Sequence, residues 1–134
     1  MSDYTVKRFD EMEPIFGGFF LRTRAALGVT SFGMQVLNFP PNAGEGYPNH
    51  NHAESGQEEV YFVLRGSADF DIEGDNVHLE PEMGLRVGST AKRKISAGPD
   101  GAQILALGAV PAHPRGVSGK PCNSTTSGPV PRSA

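Results

Sequence analysis

The chain has 134 residues, of which 37% are hydrophobic, and a formal net charge of −3. A chain of this length can bury one sizeable core but cannot form separate cofactor and substrate domains. Its one basic cluster, residues 92–94, is short and lacks interleaved aromatic residues, which argues against nucleic-acid binding. The N-terminus lacks the pattern of a secretory signal, and no run of 18 apolar residues occurs. We therefore expect a cytoplasmic protein that binds neither nucleic acid nor membrane.

Short apolar runs, separated by Gly, Pro, Asn and Asp, predict a series of β-strands. The nine candidate strands are residues 18–22, 31–39, 47–52, 58–65, 67–72, 76–79, 84–87, 93–97 and 103–108. Residues 9–13 and 24–27 hint at short helices, and residues 73–76 and 98–101 are rich in turn formers. So many short strands in one small domain indicate an all-β fold of the double-sheet, jelly-roll type.

The C-terminal residues 111–134 hold five of the 11 prolines and almost no large apolar side chains. We therefore predict a folded domain of residues 1–110 and a disordered tail of residues 111–134. The tail contains His113 and the single cysteine, Cys122, which has no partner for an intramolecular disulfide. We expect Cys122 to be an incidental thiol and His113 to remain in the loose tail.

Two histidines one residue apart, His50 and His52, indicate a metal site. Side chains at positions i and i+2 of a strand point the same way, so both imidazoles can reach one ion. A carboxylate on the next strand, from Glu58 or Glu59, would complete a set that suits divalent Fe, Mn, Ni, Zn or Cu. The following run, residues 60–64, is apolar throughout, so it predicts a strand buried on both faces without choosing between the two acids. The alternative is a pair of solvent-facing loop histidines.

The same segment resembles the first sequence motif of small single-domain cupins. The residues that carry this resemblance are Gly44, His50, His52, Glu59 and Gly66. The resemblance implies a double-stranded β-helix, or jelly-roll barrel, preceded by a short N-terminal extension. It selects Glu59 as the metal-binding acid, because six residues separate it from Gly66, and it places Tyr61 and Val63 on the inner face. The six residues between His52 and Glu59 exceed the usual gap, which a longer hairpin tip would absorb.

Residues 80–93 resemble the second cupin motif, but Arg93 stands where that motif has a third metal-binding histidine. A guanidinium has no lone pair to donate, so three protein ligands remain. An inward Arg93 would add positive charge to the site, which favours an anionic substrate or a weaker metal site. The alternative is that Arg93 pairs with Glu58, Glu59 or another acid and replaces the ion with a salt bridge.

Two functional classes follow from these residues. The first is a metal-dependent dioxygenase, isomerase or epimerase, or lyase that acts on a small organic molecule, which can be anionic. His50, His52 and Glu59 would bind the metal, and Arg93 and Tyr61 are the candidate catalytic residues. The second is a non-catalytic binding or sensing module in which Arg93 contacts an anion and no metal is required. The cupin resemblance is compatible with both classes.

The remaining candidates are weaker. His78 alternates with apolar neighbours and should face solvent or a partner chain. Met34 and Phe32 would line the pocket or belong to the core, and Gln57 is expected to be a solvated loop residue. The apolar segment at residues 15–21 predicts a homodimer, because small barrels often pair an exposed face with a second copy.

Overall fold

The computed structural model describes residues 2–111, and β-strands are the main regular structure in this part of the chain. In chain order, the strands are β1 (Pro14–Ile15), β2 (Phe20–Leu21), β3 (Gly33–Phe39), β4 (Glu58–Ile72), β5 (Asp75–Leu79), β6 (Gly84–Val87) and β7 (Arg93–Ala109). Two short 3-10 helices, Phe9–Glu11 and Phe16–Gly18, and one α-helix, α1 (Thr23–Leu27), lie near the N-terminus. The all-β prediction is confirmed, and β6 has the predicted bounds.

All seven strands join in one antiparallel sheet with the order β1-β2-β3-β7-β4-β5, and β6 pairs with β4. Strand β7 accompanies β4 along most of its length. The other edge of β4 pairs with β6 at residues 59–62 and with β5 at residues 68–72. The two halves of β4 therefore have different partners, and inward side chains of β3–β7 share one core, as in a jelly roll.

Each of the two long strands merges a pair of predicted strands. β4 spans the predicted strands 58–65 and 67–72, and β7 spans 93–97 and 103–108 together with the predicted loop 98–101. The register between β4 and β7 shifts on both sides of Gly66, which has φ +76°. A Cβ at Gly66 would collide with the carbonyl oxygen of Gly101. The prediction of separate strands and of a loop was wrong because these bulges absorb the irregular residues and the pairing continues.

The core lies inside the closed sheet. Its largest buried side chains include Leu37, Phe39, Tyr61, Val63, Phe70, Ile95 and Ile104. Tyr61 and Val63 are 1% and 3% exposed, so the predicted inner face of β4 is confirmed. The prediction that residues 60–64 are buried on both faces was wrong, because Phe62 and Leu64 are 39% and 40% exposed on the outer face.

The loop between β3 and β4 carries both candidate histidines. The predicted strand 47–52 was wrong, since in this segment only His50 forms a β-bridge, with Arg93 at the start of β7. The backbone N–H of His52 is held separately by the carbonyl of Ser89 at 2.8 Å. The long gap before Glu59 is taken up by a turn in which the Gly56 N–H donates to the His52 carbonyl. The histidines are thus positioned by individual bonds to the β6–β7 region.

In the part of the chain that the structure describes, no helix is long and apolar enough to cross a membrane. Residues 112–134, which include His113 and Cys122, lie outside the described residues. The prediction of a disordered tail concerns these residues and stays a prediction.

Candidate metal centre

Three side chains meet at one point inside the barrel mouth. One ligand atom from each of His50, His52 and Glu59 lies within 4.8 Å of the other two. Glu59 comes from the start of β4 and shares the inner face with Tyr61, two residues further on. Glu58 points the other way and forms an ion pair with Arg86. The structure therefore brings together the two predicted histidines and the acid that the glycine spacing selected.

The surroundings of the imidazole nitrogens of His50 and His52 suit metal binding. His50 Nδ1 lies 3.0 Å from the Pro48 carbonyl oxygen, which can only accept a hydrogen bond. Nδ1 must therefore carry the hydrogen, which leaves the lone pair on Nε2. Among residues 2–111, buried His52 Nε2 has no hydrogen-bond partner, although Glu59 Oε1 is 3.2 Å away. A buried ring nitrogen without a partner is costly unless something binds it, so these residues fit a cation at this point.

The Glu59 carboxylate is held at both of its oxygens. Tyr61 donates its hydroxyl to Oε1 at 2.5 Å, and the Gln57 side-chain amide donates to Oε2 at 3.3 Å. Burial is the main cause that raises the pKa of Tyr61 far above its ordinary value, and repulsion from the charges of Tyr47 and Glu59 raises it further. Tyr61 therefore keeps its proton and remains a donor. Such outer hydrogen bonds orient a metal-binding carboxylate.

Arg93 lies against the same carboxylate. Its side chain is 0% exposed, and Nε is 3.8 Å from Glu59 Oε1. The two terminal guanidinium nitrogens donate to the backbone carbonyls of His50 and Gly88, at 3.4 and 3.1 Å. The pairing with Glu59 that the sequence offered as an alternative is thus present. This ion pair lies beside the two histidines. The predicted role of Arg93 in binding an anion stays a prediction.

Two cavities meet at Glu59. One has a volume of about 480 Å³, and its lining includes Phe16, Phe20, Tyr47, His50, His52 and Glu59. The other, of about 530 Å³, includes Arg22, Arg24, Met34, Gln35, Gln57 and Glu59. Gln35 and Glu59 line both cavities. Arg93 and Tyr61 line neither cavity. Both contact Glu59 Oε1 from outside the cavities.

Sequence reasoning missed three residues of the site. Tyr47 lines the first cavity, and burial, followed by the charge of Glu59, raises its pKa to about 12. Gln35 lies between the two cavities, and Gln57 binds Glu59. The prediction that Gln57 is merely solvated was wrong, because the turn after His52 directs its amide inward. Tyr47 could have been suspected from its place three residues before His50.

The weaker candidates lie in different places in the structure. Met34 lines the second cavity, whereas Phe32 is 40% exposed and lines neither cavity. His78 is half exposed and lies between two acids, with Nδ1 2.8 Å from Asp69 and Nε2 3.2 Å from Glu80. The prediction that His78 faces outward is confirmed.

Comparison with known proteins gives matches only at the level of structure. No family profile and no curated protein matches the sequence. A cupin protein from Bacteroides fragilis is 25% identical, with a TM-score of 0.67 over 98% of this chain and 99% of that one. A sugar phosphate isomerase of the cupin superfamily from Silicibacter pomeroyi is 16% identical, with a TM-score of 0.61 over 78% and 74%. The cupin domain of an XRE-family transcriptional regulator from Enterobacter cloacae is 20% identical, with a TM-score of 0.50 over 60% and 83%.

The closed antiparallel sheet, with an acid and two histidines in its mouth, defines a jelly-roll protein with a potential metal site. Together with the structural likeness along the full chain, this arrangement shows that the chain has the fold of a small cupin domain.

Proposed function

We propose that this cupin binds one divalent transition metal through His50, His52 and Glu59 and acts on a small organic molecule. The observation that carries the proposal is His52 Nε2, which is buried 3.2 Å from a Glu59 carboxylate oxygen and forms no hydrogen bond with the residues that the structure describes. The tautomer of His50 adds support, because its Nδ1 contact leaves Nε2 free to bind. Two imidazoles and one carboxylate are compatible with Fe, Mn, Ni, Zn or Cu.

A metal held by three protein ligands retains open positions, and it would supply Lewis-acid or redox chemistry. The protein's own groups have separate tasks. Tyr61 and Gln57 fix the carboxylate, and the Pro48 carbonyl fixes the ring of His50. Tyr47 lines the cavity with a hydroxyl whose pKa of about 12 keeps it protonated, so it can donate a hydrogen bond to a substrate. Dioxygenase, isomerase or epimerase, and lyase reactions all suit this arrangement.

The metal-free alternative, a sensing module in which Arg93 binds an anion, has less support. It requires the guanidinium to face the ligand, but the Arg93 side chain is 0% exposed and its terminal nitrogens donate to backbone carbonyls. The likenesses to an isomerase and to a regulator domain do not decide the matter, since at this identity they concern the fold alone.

The proposal is tested by the metal content of protein purified without chelators and then offered Fe(II), Mn(II), Co(II) or Zn(II) in turn. We expect about one ion per chain for at least one metal, and loss of that ion in the His50→Ala/His52→Ala double variant. His78→Ala is the matched control, because it removes a histidine that is paired with acids outside the cavity. Equally negligible metal in the wild type, the double variant and the control would overturn the proposal.

A further inference from the structure

The cavity that ends at the candidate metal ligands has a continuous wall of aromatic rings. Phe16 and Phe20 meet edge to face, with ring centroids 5.1 Å apart, and Phe20 lies 6.3 Å from Tyr47. Tyr47 lies 5.5 Å from the His50 ring, which is 5.0 Å from His52. Phe16 is 70% exposed, so this row of rings runs from the surface to the site.

A second row of rings completes the wall. Phe19 and Phe39 have centroids 6.2 Å apart, and Phe39 meets Tyr47 edge to face at 5.8 Å. The cavity volume of about 480 Å³ is in the range of pockets that bind small organic molecules. Open aromatic surface of this kind packs favourably against another ring, in offset or edge-to-face geometry.

The charged residues that line this cavity bear on whether it can bind a phosphate group. Among the residues between 2 and 111 that line it, Glu59 is the only acid and there is no lysine or arginine. A phosphate group needs cationic or N–H donors to replace its hydration. Arg22 and Arg24 line the other cavity, beyond Glu59. The aromatic part of the cavity, away from His50, His52 and Glu59, therefore suits an uncharged, flat, apolar group and does not suit a phosphate group.

We propose that the substrate carries an aromatic ring or a similarly flat apolar group, which packs among Phe16, Phe20 and Tyr47. Its polar, reacting end then lies against His50, His52 and Glu59. This inference rests on the proposed function for the identity of the reacting end. The packing of the apolar end depends on the cavity alone, so the two parts can fail separately.

The packing is tested by fluorine NMR with 4-fluorobenzyl alcohol as the probe and metal-free protein. We expect saturable binding that Phe16→Ala and Phe20→Leu each weaken about 2- to 12-fold, the range for a lost ring pair. Phe62→Ala is the matched control, since Phe62 is 39% exposed on the outer face and should leave the affinity unchanged. Because Phe16 is 70% exposed, its truncation should not unfold the barrel, and a thermal melt checks this.

The proposal is overturned if the probe does not bind, or if Phe62→Ala weakens binding as much as the cavity variants do. It is also overturned if glucose 6-phosphate displaces the probe at a lower concentration than unlabelled benzyl alcohol does. Adding Mn(II) then tests the reacting end, because a bound paramagnetic ion should speed relaxation of the probe's fluorine in the wild type but not in His50→Ala/His52→Ala. Stoichiometric Mn(II) without faster relaxation contradicts the placement of the probe. Failure to bind Mn(II) and each of the other metals offered contradicts the proposed function and leaves the aromatic packing supported.

Discussion

Arg93 Nε lies 3.8 Å from Glu59 Oε1, and the arginine side chain is completely buried. Glu59 is therefore shared between a permanent cation and the candidate metal site formed with His50 and His52. Arg93 Nε forms no hydrogen bond within the described part of the chain, so the attraction between these two groups is one of charge. An ion that binds at Glu59 must tolerate the positive charge of Arg93 at close range.

We expect Arg93→Met to raise the affinity for Zn(II) or Co(II) by at least about 10-fold. At an effective dielectric constant near 20, like charges a few Å apart repel by several kcal/mol, and removing one relieves that repulsion. Isothermal titration calorimetry measures the change. Arg86→Met is the matched control, because Arg86 pairs with Glu58 and is 47% exposed, so its loss should hardly affect the metal.

The same substitution should destabilise the metal-free protein. It leaves Glu59 without its cation and removes the guanidinium donors to the carbonyls of His50 and Gly88, a loss of about 3 kcal/mol for a broken buried pair. The His50 carbonyl keeps the backbone N–H of residue 93 as a donor. Added metal should therefore raise the melting temperature of Arg93→Met more than that of the wild type. A folded variant with unchanged or weaker metal affinity would show that Arg93 does not oppose the ion.

Tyr61→Phe should lower metal affinity by about 10- to 100-fold, the usual effect of losing a group that orients a ligand. The hydroxyl donates to Glu59 Oε1 at 2.5 Å, and the ring itself packs 4.9 Å from Phe70. Phenylalanine keeps the ring and removes only the donor. Tyr4→Phe, at a position that is 77% exposed, is the control. If both variants bind metal as the wild type does, the tyrosine only fills the core.

Part of this site could be predicted because it depends on local geometry. Alternation along β4 places Glu59, Tyr61 and Val63 on one face, and the resemblance to the cupin motif, which has six residues between the acid and the glycine, selects Glu59 over Glu58. The bulge opposite Gly101 explains why a glycine is needed at position 66. These relations span only a few residues, so a single sequence contains them.

The rest depends on contacts between distant segments. His50 is placed by its bridge to Arg93, 43 residues later, and not by a regular strand. Phe62 is as apolar as Val63, and only their exposures within residues 2–111, 39% and 3%, distinguish the outer face from the inner one. The aromatic cavity joins Phe16 and Phe20 to Tyr47 across three segments, so it has no sequence signal of its own.

Gly44→Ala should destabilise the fold by about 2 kcal/mol or more and weaken metal binding. Gly44 has φ +141°, and a Cβ there would lie 2.6 Å from the Ile95 carbonyl oxygen, so the histidine loop would have to shift. Gly46→Ala is the control two residues away, because a Cβ there meets no atom within 4 Å. Urea unfolding and metal titration of both variants measure the difference. Equal stability of the two variants would contradict the predicted clash.

His78 should give a pH-dependent contribution to stability. Hydrogen bonds to Asp69 and then Glu80 raise the pKa of His78 above its ordinary value, which favours the charged form in the folded state. A group whose pKa is raised by folding stabilises fully below its unfolded pKa, near 6.5, and this stabilisation is lost as the pH rises through the folded pKa.

His78→Gln should therefore destabilise the protein at pH 5 and have little effect at pH 9, as measured by urea unfolding at both values. Proton NMR of the imidazole gives the folded pKa directly, and Asp69→Asn should lower it, because Asp69 provides the larger effect. A loss of stability that is the same at both pH values would contradict the role of the charge.

The homodimer stays a prediction, and the structure offers two candidate surfaces for its interface. The predicted segment, residues 15–21, has Leu21 buried and Phe16 at the mouth of the aromatic cavity. The outer face of β4 instead presents Phe62 and Leu64, both about two-fifths exposed. Apolar side chains side by side on a sheet face are a common basis for self-association.

We expect light scattering to give twice the chain mass of 14.3 kDa at high micromolar concentration. Leu64→Glu should convert the dimer to a monomer if the outer face of β4 forms the interface, because it would bury a charge without a partner. Phe16→Glu should do so if the N-terminal segment forms the interface, and it would also disturb the aromatic cavity. A wild-type protein that is monomeric at this concentration would contradict the dimer itself, whichever surface is considered.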